Sequence, residues 1–77
     1  MPEEQRLKEM VAEQFGLQIS KISRDLHWED LALDSLDLLG LLASIEDEFD
    51  IHLEDDLFTN CETLGEMSDL IIEKTRG

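Results

Sequence analysis

The chain has few basic residues, a single cysteine and no long apolar run, and each shortage excludes a class of protein. Lys and Arg number 6 against 20 Asp and Glu, which gives the 77 residues a formal charge of -14 at pH 7. Nucleic acids and anionic membranes are bound through clustered Lys and Arg, so neither is expected as a partner. The expected partners are proteins that carry basic patches.

The lone Cys61 cannot form a disulfide within the chain. Small secreted domains commonly depend on such crosslinks, so we expect a reducing, cytoplasmic setting. No stretch approaches the roughly 20 apolar residues that a membrane span needs. Residues 1–5 hold two glutamates and no apolar run, which resembles neither a signal peptide nor a transit peptide. The sequence therefore predicts one soluble domain over residues 1–77.

Apolar residues recur at helical spacing, which predicts an all-α fold. Their period predicts helices over about 3–15, 35–49 and about 64–75. One short helical turn is expected over 54–59, with Leu57 and Phe58 on its buried side. The expected architecture is a small bundle of three main helices plus one short helix.

The segments between these helices are also informative. Apolar residues from Leu17 to Leu33 follow no period, which predicts a long loop between the first two helices, held to the core by those side chains. Gly16 is expected to end the first helix. Thr63 and Glu66 have the spacing of a capping box for the last helix.

One segment contains the main functional signal. Residues 29–37 read Glu-Asp-Leu-Ala-Leu-Asp-Ser-Leu-Asp, and an apolar helix that ends in Glu-Asp-Glu-Phe-Asp follows. Asp34 can cap that helix. At the helix start, Ser35 would meet unpaired N–H groups and the positive end of the helix dipole, which stabilise an attached phosphate diester. Most serines before an apolar run serve only as helix caps. Ser35 alone therefore does not distinguish a capping serine from a serine that carries a phosphate diester.

The chain resembles the acyl carrier protein family over about residues 4–74. In that family an Asp-Ser-Leu triplet opens the second helix, and a phosphopantetheinyl transferase attaches 4′-phosphopantetheine to the serine. The triplet here is Asp34-Ser35-Leu36, so the resemblance implies that Ser35 holds the cofactor with its two neighbours beside it. The implied function is a non-catalytic carrier that holds acyl groups as thioesters and shuttles them between enzymes of fatty-acid, polyketide-type or specialised lipid synthesis.

The resemblance also implies a docking surface on the second helix. Family members use acids near the serine and along this helix to pair with Arg and Lys of partner enzymes. The expected partners are the transferase, an acyl-loading ligase or transacylase, and a ketosynthase or another acyl-using enzyme, with the carrier itself a monomer. No Lys or Arg lies between Asp25 and Glu73, so the surface around Ser35 is expected to be uniformly negative. The positions implied in docking are Asp34, Asp37, Leu38, Glu46 and Asp47.

The second helix is rich in apolar residues beyond what one core-facing stripe needs, which indicates that something packs on it. In the family the core helices move apart to enclose an acyl chain. A leucine-rich interior, however, is more often only a packed core with no ligand. The side chains expected to face the bundle and contact such a chain are Leu42, Ala43, Ile45 and Phe49.

Departures from the family pattern leave the subtype open. Ala32-Leu33 precede the triplet where fatty-acid carriers mostly have Gly-Ala, and Gly40 replaces an acid that is often present, which favours a specialised carrier. The alternatives are an aminoacyl carrier of the D-alanyl or peptidyl type, and an acidic interaction module without a prosthetic group. No window satisfies an EF-hand loop and no nucleophile lies at a known motif spacing from a histidine, so neither a metal site nor catalysis is expected.

Overall fold

The computed structural model describes residues 2–54 and 56–76, apart from the side chains of residues 58 and 59. Two single 3₁₀ turns lie in the first connecting segment, at Ile19–Lys21 and Trp28–Leu31. No strand occurs in the described ranges, and none of the described helices is long and apolar enough to cross a membrane. The helices are α1 (Pro2–Phe15), α2 (Ser35–Phe49), α3 (Leu57–Asn60) and α4 (Leu64–Arg76). The predicted all-α architecture, with three main helices and one short one, is confirmed.

The core lies between α1, α2 and α4. Each of these helices contributes apolar side chains at helical spacing, and α1 packs more extensively on α4 than on α2. Full burial of one such side chain stabilises the fold by about 1.5–3 kcal/mol. The fully buried apolar residues are Leu7, Val11, Leu41, Ile45, Leu53, Leu64, Met67 and Ile71.

The segment between α1 and α2 packs against the start of α4. Ile22 and Trp28 are buried in the core, which confirms the predicted packed loop. The backbone N–H of Trp28 donates to Glu62 O at 3.1 Å, and the N–H of Gly65 donates to Arg24 O at 2.9 Å. A Cβ atom at Gly65 would lie 2.8 Å from that same carbonyl oxygen, so only glycine permits this close approach.

The helix ends agree with the predicted signals, with small differences in position. Gly16 has φ of +67° and ends α1, as expected. Thr63 Oγ1 accepts a hydrogen bond from Glu66 N at 3.2 Å, which caps α4. The short helix occupies Leu57–Asn60 rather than 54–59, and the N–H of its first residue, Leu57, donates to Glu54 O at 3.2 Å. Leu57 is buried as expected, whereas the prediction for Phe58 concerns a side chain outside the described residues.

Candidate cofactor attachment site

The start of α2 is fixed by two aspartates that exchange hydrogen bonds. Asp34 is the N-cap residue, and its Oδ1 accepts from the backbone N–H of Asp37 at 2.9 Å. Asp37 Oδ2 accepts in return from the N–H of Asp34 at 3.3 Å. The prediction that Asp34 caps this helix is confirmed. The interpretation of Ser35 as the cap is wrong, because Asp34 already fills that position.

Ser35 is the first residue of α2, and its side chain is exposed. Within the described residues its hydroxyl takes part in no hydrogen bond. The first helical hydrogen bond joins Leu38 N to Asp34 O at 3.1 Å, so the N–H groups of Ser35 and Leu36 precede the intrahelical ladder. Such groups at a helix N-terminus stabilise a phosphate diester, which offsets its repulsion from the two neighbouring carboxylates. The arrangement can therefore present the Ser35 hydroxyl to a reaction that forms a phosphate diester, and it can stabilise the diester that results.

The turn that leads into the site has an unusual backbone conformation. Ala32 adopts φ 53° and ψ 40°, the left-handed region, after the 3₁₀ turn Trp28–Leu31. This conformation costs a residue other than glycine roughly 1–2 kcal/mol. Trp28, 4% exposed, anchors the turn in the core. Ala32 is one of the two positions where the sequence departs from the Gly-Ala pattern before the triplet, and here its backbone takes the form that favours glycine.

The residues predicted for docking differ in their local contacts. Asp37 and Asp47 are exposed, and Leu38 is half-buried. Glu46 is also half-buried, and its Oε2 accepts from Leu53 N at 2.9 Å and lies 3.2 Å from His52 Nδ1. Glu46 therefore holds the connection that follows α2, a structural contact that the sequence did not reveal. The docking role of these residues stays a prediction.

A basic side chain of α1 contacts the carboxyl-terminal end of α2, while the negative surface expected around Ser35 stays a prediction. Arg6 of α1 donates from Nη2 to Glu48 Oε1 at 3.1 Å. The hydrogen bond from Arg6 lowers the pKa of the Glu48 carboxyl below its ordinary value. The two residues are 42 positions apart, so this ion pair cannot be predicted from helical spacing in the sequence. By contrast, Asp34 and Asp37 form no ion pair with any Lys, Arg or His in the described residues.

The apolar residues of α2 lie on two faces. Leu42 and Ile45 are buried as predicted, and Phe49 is partly buried against the core. The prediction that Ala43 faces the bundle is wrong, because Ala43 is exposed. A helix turns about 100° per residue, so a face centred on Leu41, Leu42 and Ile45 leaves position 43 on the outside. Leu36 and Leu39 share that outer side, with 77% and 49% of their surface exposed.

Outside this site, the described residues include one buried thiol and no cluster of metal-ligand side chains. Cys61 is buried, and this burial, followed by the charge of Glu66, raises the pKa of its thiol, which keeps the thiol protonated at neutral pH. In residues 2–54 and 56–76 no three His, Cys, Asp or Glu side chains gather as metal ligands would.

A small helical domain with an exposed serine at the first turn of its second helix has the arrangement of a carrier domain. Residues 5–71 match the family described as "Phosphopantetheine attachment site", and the chain belongs to that family. Its members hold covalently attached 4′-phosphopantetheine, so the predicted cofactor is confirmed at the level of the family.

Two similar proteins agree with this assignment. The chain is 37% identical over 62 residues to Polyketide synthase 2 of Metarhizium acridum (strain CQMa 102), a match that covers 80% of this chain and 3% of that protein. Its fold is similar to the crystal structure of an acyl carrier protein from Thermotoga maritima, with a TM-score of 0.74 and 24% identity over 92% of this chain and 84% of that one. The resemblance to acyl carrier proteins is confirmed.

Proposed function

We propose that Ser35 accepts 4′-phosphopantetheine from coenzyme A and that the chain acts as a non-catalytic carrier of acyl groups. The single observation that carries this proposal is the exposed Ser35 at the first turn of α2, next to an N-cap position already filled by Asp34. In the transfer, the hydroxyl oxygen bonds to the phosphorus that bears the pantetheine, adenosine 3′,5′-bisphosphate leaves, and a base of the transferase takes the serine proton. Once attached, the group supplies a terminal thiol on which acyl cargo is held as a thioester.

The residues around Ser35 support this function without any catalytic role of their own. Asp34 and Asp37 fix the helix start, so the hydroxyl is presented at one defined place. The N–H groups of the first turn lie beside that place and stabilise the negative phosphate. The transferase activates both reactants, so Ser35 needs no neighbouring base. The exposed, acidic start of α2 suits contact with an enzyme that carries a basic patch.

Polyketide-type acyl groups are the proposed cargo, because the chain is similar to part of a polyketide synthase. The proposed partners are a phosphopantetheinyl transferase, an acyl-loading ligase or transacylase, and a ketosynthase or another acyl-using enzyme. Leu42, Ile45 and Phe49 remain the proposed contacts for a sheltered acyl chain, since all three lie in or against the core. The alternative to be distinguished from polyketide-type acyl groups is an aminoacyl cargo of the D-alanyl or peptidyl type. A cytoplasmic location stays a prediction from the lone cysteine.

Intact-mass measurement after incubation with coenzyme A, Mg²⁺ and a broad-specificity phosphopantetheinyl transferase tests the attachment. The parent chain should gain one phosphopantetheine, Ser35→Ala should gain none, and the control Ser23→Ala, at an exposed serine of the first connection, should match the parent. A loaded Ser35→Ala variant would overturn the assignment. Offering the holo protein to a malonyl transacylase with malonyl-coenzyme A, and separately to a D-alanyl ligase with D-alanine and ATP, separates the two cargo classes by the mass gained.

A further inference from the structure

Ser68 of α4 is fully buried, and its hydroxyl has no hydrogen-bond partner among the described residues. Buried hydroxyls in folded proteins are mostly hydrogen-bonded, because an unpaired one has given up its bonds to water and gained none. Two other hydroxyls inside helices bond to a carbonyl of the preceding turn. Ser44 Oγ donates to Gly40 O at 3.1 Å, and Thr75 Oγ1 donates to Ile72 O at 3.0 Å. Ser68 makes no such bond.

The unpaired hydroxyl lies on the side of α4 that faces the core. Residues three or four positions apart share a face of a helix, so Ser68 lies beside Leu64 and Ile71, which are both fully buried. These two belong to the same core cluster as Leu42 and Ile45, two of the proposed contacts for an enclosed acyl chain. Among the described residues, Ser68 has the one buried hydroxyl.

The segment that covers α4 does not supply the missing partner. Arg24 O accepts from the backbone N–H of Gly65 at 2.9 Å. The Arg24 guanidinium donates from Nη2 to Asp69 Oδ2 at 2.9 Å and from Nη1 to Glu4. These polar groups bond to one another and leave Ser68 out. A ligand inside the core could therefore provide the acceptor that this chain does not.

We propose that Ser68 is a specificity-determining residue, whose hydroxyl donates a hydrogen bond to an oxygen on an enclosed acyl chain. This inference rests on the proposed carrier function and narrows its cargo to chains that bear keto or hydroxyl oxygens. Polyketide-type chains carry such oxygens on alternate carbon atoms, whereas saturated fatty acyl chains carry none beyond the thioester. A saturated chain leaves the Ser68 hydroxyl unpaired, and an oxygenated chain satisfies it.

Acyl forms that differ by one oxygen test this preference. A broad-specificity phosphopantetheinyl transferase loads Ser35 from octanoyl-coenzyme A or from the 3-oxo, 5-oxo or 7-oxo analogue, and intact mass identifies each product. Urea unfolding then gives the unfolding equilibrium constant of each form. The test variant is Ser68→Ala. The matched control is Ser44→Ala, which removes a hydroxyl that bonds to Gln14 Oε1 at 3.2 Å.

In the parent, at least one oxo form should have an unfolding equilibrium constant about two- to tenfold smaller than that of the octanoyl form, the range expected for one hydrogen bond. Ser68→Ala should abolish this difference, and Ser44→Ala should keep it. Unloaded Ser68→Ala should be no less stable than the unloaded parent, because the substitution removes no hydrogen bond between described residues.

Equal constants for the octanoyl form and all three oxo forms of the parent would overturn the inference, as would an oxo advantage that survives Ser68→Ala. A clear loss of stability in unloaded Ser68→Ala would also overturn it, because the hydroxyl would then have a partner within the chain.

Failure of the parent to gain mass in the loading reaction would count against the proposed function, and this inference would fall with it. A parent that loads normally but shows no oxo advantage would contradict the inference alone. The two failures are therefore distinguishable.

Discussion

Asp34 and Asp37 close a reciprocal pair of hydrogen bonds around the first turn of α2, at 2.9 and 3.3 Å. The helix start is thus specified by the residues on either side of Ser35 and not by Ser35 itself. A hydroxyl that does not stabilise the fold can be modified without unfolding the protein. Substitutions at Asp34 and at Ser35 should therefore differ in their effect on stability.

Asp34→Ala should lower the free energy of unfolding by about 0.5–2 kcal/mol, because it removes the N-cap of α2. Ser35→Ala should change it by less than about 0.5 kcal/mol, since Ser35 is exposed and alanine favours a helix. Urea unfolding followed by the fluorescence of Trp28, the single tryptophan, measures both. Equal destabilisation by the two substitutions would show that Ser35 shares in the cap.

Two glycines provide a matched pair with opposite expected signs. Gly65→Ala should destabilise the fold by about 1–3 kcal/mol, because the new Cβ would lie 2.8 Å from the backbone oxygen of Arg24. Gly40→Ala should stabilise it by up to about 1 kcal/mol, because alanine favours the helix. Its Cβ would meet only the flexible amide end of Gln14 at 3.3 Å. Thermal unfolding of the two variants measures both effects. A Gly65→Ala variant as stable as the parent would contradict the packing of the segment between α1 and α2 on α4.

Ala32→Gly should stabilise the fold by up to about 1 kcal/mol, because glycine adopts the left-handed region without the steric cost that Ala32 bears. The control is Ala43→Gly, at an exposed position inside α2, which should lose about 1 kcal/mol. Both are read from urea midpoints at constant slope. A loss of stability in Ala32→Gly would mean that this turn does not hold the conformation seen here.

Stability should fall as the pH rises above about 8.5, the ordinary range of a thiol in an unfolded chain. The folded-state pKa of Cys61 is raised by burial, so the neutral thiol stabilises the fold below that pH, and this contribution is lost as the pH rises through the folded-state value. The sequence contains no tyrosine to obscure the effect. Urea midpoints at pH 7.0 and 9.5 should differ more in the parent than in Cys61→Ala. An equal difference in both would contradict the prediction.

The features that sequence reasoning located are those with local signals. Helical spacing of apolar residues predicted the three main helices, and Asp34 was identified as a cap from its place before the apolar run. Ser35 was selected by the triplet and its surroundings, and the structure places it at the exposed start of α2. Each of these signals lies within a few residues of the feature it predicts.

The features that sequence reasoning missed depend on contacts between distant segments. Arg6 and Glu48 are 42 residues apart, and the close approach of Gly65 to Arg24 depends on how the first connection packs on α4. The wrong orientation of Ala43 has another cause. Leucines occur on several sides of α2, so its apolar pattern did not fix which side faces the core.

Fragmentation of the loaded parent protein in the mass spectrometer tests the central claim most directly, since it locates the added group without any substitution. The expected result is one phosphopantetheine, on a fragment series that places it at Ser35 and excludes Ser44 and Ser68. Attachment at another serine, or no attachment with an active transferase that loads a known carrier in the same reaction, would contradict it.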